Sequence, residues 1–482
     1  MRDFRQTLIA ALAALSLAAL GACTRVPETR QVSLPPAPDI SQTQTASDRE
    51  NQRILASYGG EYRDPKLEAL LNKTVDRLVA ASERPDLKYR VVILNSPAIN
   101  AFSLPNGQLY VTRGLIALAN DTSEVGSVLA HEMAHVIARH AALREDKARQ
   151  SIMISSVVTD VLGDPQLGAL ALAKSKLALA SFSRAQEFEA DGIGVGIAAR
   201  AGYDPYGAVR YLNSMQRNAS VRSTGSSTDQ YYVEFMSSHP TTPARIRNAI
   251  ANARQFGAPG TGERDRPVFL AALNGMVFGE DPSEGFVRGR RFLHPKLGFT
   301  FEAPPNFTLE NTAEAVLGVR DGGGQAMRVD VVRVPAEQSL SDYLRSGWMD
   351  NVSAISAENF EINGFPAAGA TATGGEWTFR LYAVRFGSEV YRFIFAAKQL
   401  TPAAERAFRG SIGTFRRMTL KEIRGAKPLK ISVVTVRPGD TIDSLAQRMA
   451  LPDHKRERFM ALNELSASDK LKPGSQLKLV IE

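Results

Sequence analysis

Leu67, Leu70, Leu71, Val75, Leu78 and Val79 recur at intervals of three and four residues in "DPKLEALLNKTVDRLVAA", the spacing of one buried helical face. The apolar run in "LKYRVVILNS" predicts a buried strand, and "LPNGQLYVTRGLIAL" reads as a turn, a strand and a helix start. "TSEVGSVLAHEMAHVIARHAALRE" then predicts one long helix capped near Thr122 or Ser123. Past a Gly- and Pro-rich boundary at 258–284, expected to be a linker, the period changes. "GFTFEAP", "AMRVDVVRV" and "WTFRLYAVRFGSEVYRFIFAAK" are strand patterns, whereas "SLSDYLRSGW" and "TPAAERAFRGSIGTF" are helical. Residues 285–420 are therefore predicted to form an α+β domain around an antiparallel sheet, and its role is not readable from these patterns. Residues 430–482 read strand, turn, helix, helix, strand, and are expected to be a small module whose removal leaves the remaining chemistry intact.

Ahead of these segments the pattern is different. Arg2 and Arg5 precede "TLIAALAALSLAALGA", too short to span a membrane and suited to a signal-peptide core over residues 1–22. "LGAC" follows and resembles a bacterial lipobox, which implies cleavage before Cys23 and lipid on that residue; an ordinary secretory signal is the other reading. With Thr24 after it, the resemblance implies the outer membrane. Cys23 is the sole cysteine, so no disulfide can form within the chain. Residues 23–50 are rich in Pro, Ser, Thr and Gln and are expected to be a flexible tether. The net charge of +8 over 482 residues has no long basic block, which argues against nucleic acid as a partner.

On the long helix His131 and His135 are four residues apart and share a face, where two imidazole nitrogens can meet one metal ion. Glu132 lies about 100° around the helix, as suits a base acting on a metal-bound water without binding the metal. A catalytic zinc site wants a third protein ligand. On a continuous helix His140 points away from the metal face and reads as a structural or surface residue. "SRAQEFEADGIGVGIAARAGYDP" offers Glu187 and Asp191 on one helical face and Glu189 nearly opposite. Glu187 fits a ligand, and Asp191 fits an acceptor for the outer N–H of a ligating histidine. The same carboxylates also suit a solvated helix start at the positive end of its dipole.

"HEMAH" and "EFEADGIG", with "NAFSLPNGQLYVTRGL", "HVIARH", "AGYDP" and "SSHPTTPARI", resemble the M48 family of zinc metallopeptidases over residues 51–257. The resemblance implies an α+β, mainly helical zincin-type domain with a small sheet. One zinc ion per chain would be bound by His131, His135 and Glu187, with Glu132 as the base and an edge strand around Asn100, Ala101 and Phe102 holding extended substrate. The run "SIMISSVVTDVLG", interrupted by Asp160, is expected to pack over the cleft as a lid. His239 of "SSHPTTPARI" has two readings, a fourth zinc ligand that keeps the enzyme latent or a helper that orients substrate. Thr241 or Thr242 would cap the helix that Pro243 opens.

"VRPGDTIDSLA", "LNEL" and "LKPGSQLKLV" resemble a LysM module and imply peptidoglycan as a partner, although the "PDHKRERFM" helix is unusually basic. His294 stands isolated and reads as structural. The functional expectation is a zinc-dependent endopeptidase of the bacterial envelope, in the periplasm on a lipid anchor, acting on misfolded or unassembled proteins. A chaperone or scaffold that binds clients with little proteolysis is the alternative.

Overall fold

The computed structural model describes residues 46–143, 183–223, 239, 242–346 and 353–482. Residues 1–22, Cys23, most of the 23–50 tether, Thr241 and the expected lid at 151–163 lie outside the described residues. Helix α1 (Ala46–Ser57) begins within the stretch read as tether. The described residues form two compact units, one within 58–281 and 428–482, the other within 282–427 together with α1.

In the first unit α2 (Pro65–Ala80) starts where the Asp64 carboxylate accepts from the Lys66 and Leu67 amides, and Leu67, Leu70, Leu71, Val75 and Leu78 are buried. Strands β1 (Arg90–Leu94), β2 (Ala101–Ser103) and β3 (Gln108–Thr112) form a sheet in the order β1-β3-β2, with β1 parallel and β2 antiparallel to β3. Helix α3 (Arg113–Leu118) leads into α4 (Thr122–Ile137), which carries the "HEMAH" motif. Its cap is Asp121, one residue ahead of the expected pair; the Asp121 carboxylate accepts from the Glu124 amide at 3.0 Å and is itself gripped by Arg264 at 2.7 Å. Helices α5 (Arg184–Arg200), α6 (Gly207–Ser223) and α7 (Pro243–Arg254) complete the helical layer.

The segment 258–284 is not a bare linker. It contains α8 (Arg266–Leu273) and β4 (Val277–Phe278), and Phe269, Leu270, Leu273 and Met276 are fully buried in the unit's core. These four side chains, within the eight residues 269–276, are what the Gly and Pro content obscured.

In the second unit, β5 (Phe286–Arg288), β6 (Arg291–His294), β7 (Phe299–Glu302) and β15 (Arg416–Arg417) form one antiparallel sheet. A seven-stranded antiparallel sheet takes in β8 (Phe307–Asn311), β9 (Val316–Arg320), β10 (Gln325–Val332), β11 (Ser353–Ile362), β12 (Phe365–Gly374), β13 (Trp377–Phe386) and β14 (Glu389–Ala397). Helices α9 (Leu340–Arg345) and α10 (Pro402–Gly413) pack on this sheet, and α11 (Leu420–Gly425) follows. His294 is buried against the rings of Phe292 and Phe299.

Residues 428–482 return to the first unit. Strand β16 (Leu429–Thr435), α12 (Ile442–Gln447), α13 (Lys455–Leu462) and β17 (Gln476–Ile481) make a three-stranded sheet with β4, in the order β17-β16-β4. Ile431, Leu445, Phe459 and Leu479 share one apolar core with Leu129, Met133 and Phe269. Lys478 on β17 is fully buried, and its ammonium donates to the carbonyls of Ala117, Leu118 and Ala119 at 2.8, 3.3 and 2.6 Å, closing the end of α3. Arg266 links the Asn120 carbonyl to that of Gln476. The segment expected to be a separable module thus shares its core with the unit that carries the "HEMAH" helix.

Candidate metal centre

Helices α4 and α5 approach each other closely because Gly194 faces the backbone of α4. A Cβ at Gly194 would lie 2.9 Å from the His131 amide nitrogen and 3.0 Å from its Cα. That closeness brings Glu187 and Asp191 to the two histidines. His131 Nε2 and His135 Nε2 are 3.0 Å apart, and each lies 3.6 Å from a Glu187 carboxylate oxygen. His239 joins them from the loop before α7, with Nδ1 2.8 Å from Glu187 Oε1 and 3.4 Å from His131 Nε2. Thr242 caps α7, accepting from the Arg245 amide at 3.2 Å, and Pro243 is its first residue. One donor atom from each of His131, His135, Glu187 and His239 falls within 4.8 Å of the others, and all four residues are buried.

This donor set fits zinc. Burial chiefly holds the His131 and His135 imidazoles below their ordinary value, which keeps them neutral and able to ligate. Burial also pushes the Glu132 carboxyl well above the carboxylate range, with the Glu187 charge adding to it, and raises Glu187 itself. Two buried carboxyl groups beside neutral imidazole nitrogens call for a cation, and a nitrogen-and-carboxylate set is the one zinc prefers.

Asp191 Oδ1 lies 3.0 Å from His131 Nδ1. Burial alone would raise the Asp191 carboxyl, but the Arg245 guanidinium and His131 outweigh it and bring it down to about 2. Arg245 is the residue that motif reading missed. Its Nε and Nη2 grip both Asp191 oxygens at 2.9 and 2.6 Å, its Nη1 lies 2.7 Å from Glu187 Oε2, and Nη1 also donates to the His239 carbonyl at 3.3 Å. The only trace of it in the chain is its place in "SSHPTTPARI".

Glu132 points beside this cluster, not into it, with Oε1 3.7 Å from His239 Nε2. Ser103 on β2 donates to the Glu132 carbonyl at 2.9 Å and lies 3.4 Å from Glu132 Oε2. Strand β2 is the outer strand of its sheet and carries Ala101 and Phe102; Asn100, just before it, receives no ligand role from the geometry. His140 is neither at the surface nor turned away. Helix α4 ends at Ile137, Arg139 adopts φ 54°, and the buried His140 swings back so that its Nδ1 lies 2.9 Å from His135 Nδ1.

Comparison with known proteins matches the model of peptidase family M48 to residues 65–253 and that of the LysM domain to residues 434–480. The beta-barrel assembly-enhancing protease of Escherichia coli (strain K12) is 27% identical over 202 residues, 40% of this chain and 40% of that protein. Mitochondrial metalloendopeptidase OMA1 of Schizosaccharomyces pombe is 31% identical over 203 residues, 41% of this chain and 56% of that protein. The chain thus spans well under two thirds of the length of these relatives. A solved structure of cyanobacterial PsbP from Synechocystis sp. PCC 6803 shows a slight likeness, at 14% identity and a TM-score of 0.23 over 29% of this chain and 98% of that one, and carries no argument.

Proposed function

We propose, from the match of residues 65–253 to the model of peptidase family M48, that the protein is a zinc-dependent endopeptidase of the bacterial cell envelope, acting on misfolded or unassembled envelope proteins. The observation that carries this reading is the convergence of His131, His135 and Glu187 donor atoms with Glu132 alongside. Zinc held by those three residues supplies Lewis acidity for a peptide carbonyl and for the attacking water. The chain's own part is proton handling and positioning. Glu132, as the carboxylate, takes the proton of the attacking water at an Oε atom and delivers it to the leaving amine, and the burial that raises its proton affinity makes it the stronger base. Ser103 fixes β2 against α4, so a substrate strand pairing with the outer edge of β2 near Ala101 and Phe102 lies beside Glu132. Backbone pairing reads extension more than side chains, which suits unfolded clients.

His239 is the fourth donor in this reading, occupying the position that substrate needs. The LysM segment is proposed to contact peptidoglycan glycan, and Cys23 to carry a lipid anchor in the outer membrane of the periplasm. Among the described residues no helix is long and apolar enough to cross a membrane.

The test is Glu132→Gln. Hydrolysis of an unfolded protein is expected to fall about 10²- to 10⁴-fold with zinc retained at one per chain. Undiminished hydrolysis would remove Glu132 from the chemistry, and binding of clients without hydrolysis by the wild type would turn the reading toward a chaperone.

A further inference from the structure

The two metal-facing histidines are braced from behind by different groups. His131 meets a buried carboxylate, Asp191, which Arg245 locks in place. His135 meets a second imidazole. We propose that His140 is a positioning residue that accepts the Nδ1–H of His135 and passes its own Nε2–H to Glu189, aiming His135 Nε2 at the metal. The inference rests on the zinc-site reading above.

Hydrogen counting carries the argument. A neutral imidazole has one N–H and one lone pair, so a His135 that offers Nε2 to a metal must carry its hydrogen on Nδ1. The acceptor 2.9 Å away is His140 Nδ1, which must then be unprotonated. The His140 hydrogen is thereby placed on Nε2, and the carboxylate oxygen of Glu189 lies 3.2 Å from it. Every ring N–H in this chain of groups has an acceptor. The opposite assignment puts hydrogen on His135 Nε2, directed at His131 Nε2 3.0 Å away, and closes the cluster to a cation.

The backbone supports a dedicated role. Arg139 holds a left-handed conformation at φ 54°, unusual for a residue other than glycine, and this turn is what brings the buried His140 back over His135. Glu189 is exposed, its side chain 58% accessible, and ends the chain of hydrogen bonds at solvent. The His135 side of the centre is therefore braced less rigidly than the His131 side, where the carboxylate is buried and doubly held.

The experiment compares His140→Leu and His140→Gln in the full chain by zinc affinity in chelator competition, with melting of the zinc-free proteins as a control for folding. Leucine and glutamine are close in size, but only the amide oxygen can accept the His135 N–H. Leucine is expected to weaken zinc about 10- to 100-fold, the usual effect of removing such a partner, and glutamine to stay within about threefold of wild type. Equal affinity in all three proteins overturns the proposal, as does equal loss in both variants, which would mean packing and not hydrogen bonding. Should the leucine variant fail to fold, Glu189→Leu at the exposed end is expected to weaken zinc about threefold, and unchanged affinity there overturns it. A wild type that binds no zinc overturns the metal-centre reading itself.

Discussion

His239 Nδ1 lies 2.8 Å from Glu187 Oε1, so a residue from a loop touches the carboxylate that the metal would need. The same ring reaches toward Glu132 through Nε2 at 3.7 Å. As a fourth donor it would block the position where substrate and water react. His239→Ala is accordingly expected to raise peptidase activity several-fold, with zinc retained, in an assay on unfolded protein. A lowered kcat with zinc retained would instead make His239 a helper of catalysis.

Arg245 ties α7 to two carboxylates of α5, and both partners are buried. Arg245→Met leaves those charges without their counter-ion, at a cost of about 3–5 kcal/mol. Expected outcomes are a lower melting temperature of the zinc-free protein and weaker zinc binding. Arg245→Lys keeps the charge but cannot grip both Asp191 oxygens and Glu187 together, so it should recover only part of the loss. A methionine variant of unchanged stability would show that the guanidinium is dispensable.

Lys478 closes the end of α3 from the LysM segment. Lys478→Met takes the donor from the Ala117 and Ala119 carbonyls, leaving that of Leu118 to Asn120 Nδ2, and is expected to destabilise the unit by about 2–3 kcal/mol, read from chemical denaturation. Deleting residues 428–482 exposes the core around Phe269 and Leu273, and peptide hydrolysis should be lost together with resistance to added trypsin. Retained hydrolysis would mean that the peptidase segment folds alone.

His294 gives the second unit a pH dependence. Burial first, and Lys296 second, push its imidazole down to about 4, below the ordinary value of 6.5. A depressed basic group contributes stability that is present above pH 6.5 and is lost as pH falls through about 4, amounting to about 3 kcal/mol at the acid end. The chain's two tryptophans, Trp348 and Trp377, both fall in the sequence between residues 282 and 427, so tryptophan fluorescence reports the unfolding of this part of the chain. His294→Phe should flatten the decline between pH 6.5 and 4. An identical slope in the variant would assign the acid sensitivity to other groups.

What could be read from the chain was what depends on short spacing. His131 and His135 share a face because four residues make about one turn, and Glu187 and Asp191 follow the same rule. His140 was misplaced because the rule was carried past Ile137, where the helix stops and Arg139 reverses the chain. Arg245 could not be assigned, since its carboxylate partners lie 54 and more residues earlier and only the packing of α5 on α7 brings them together. Lys478 sits in "LKLV" like an outward-facing residue of an ordinary strand, and nothing local says that a helix end covers it.

The bonds from Lys478 to α3 join residues 361 positions apart, with the whole 282–427 unit made in between. At ordinary rates of synthesis, roughly 5–20 residues per second, that separation amounts to roughly 20–70 s. Throughout that interval the "HEMAH" helix exists without the strand that completes its core. The core that Ile431, Leu445 and Leu479 share with Leu129 and Phe269 is therefore completed late, after residues 282–427 have emerged.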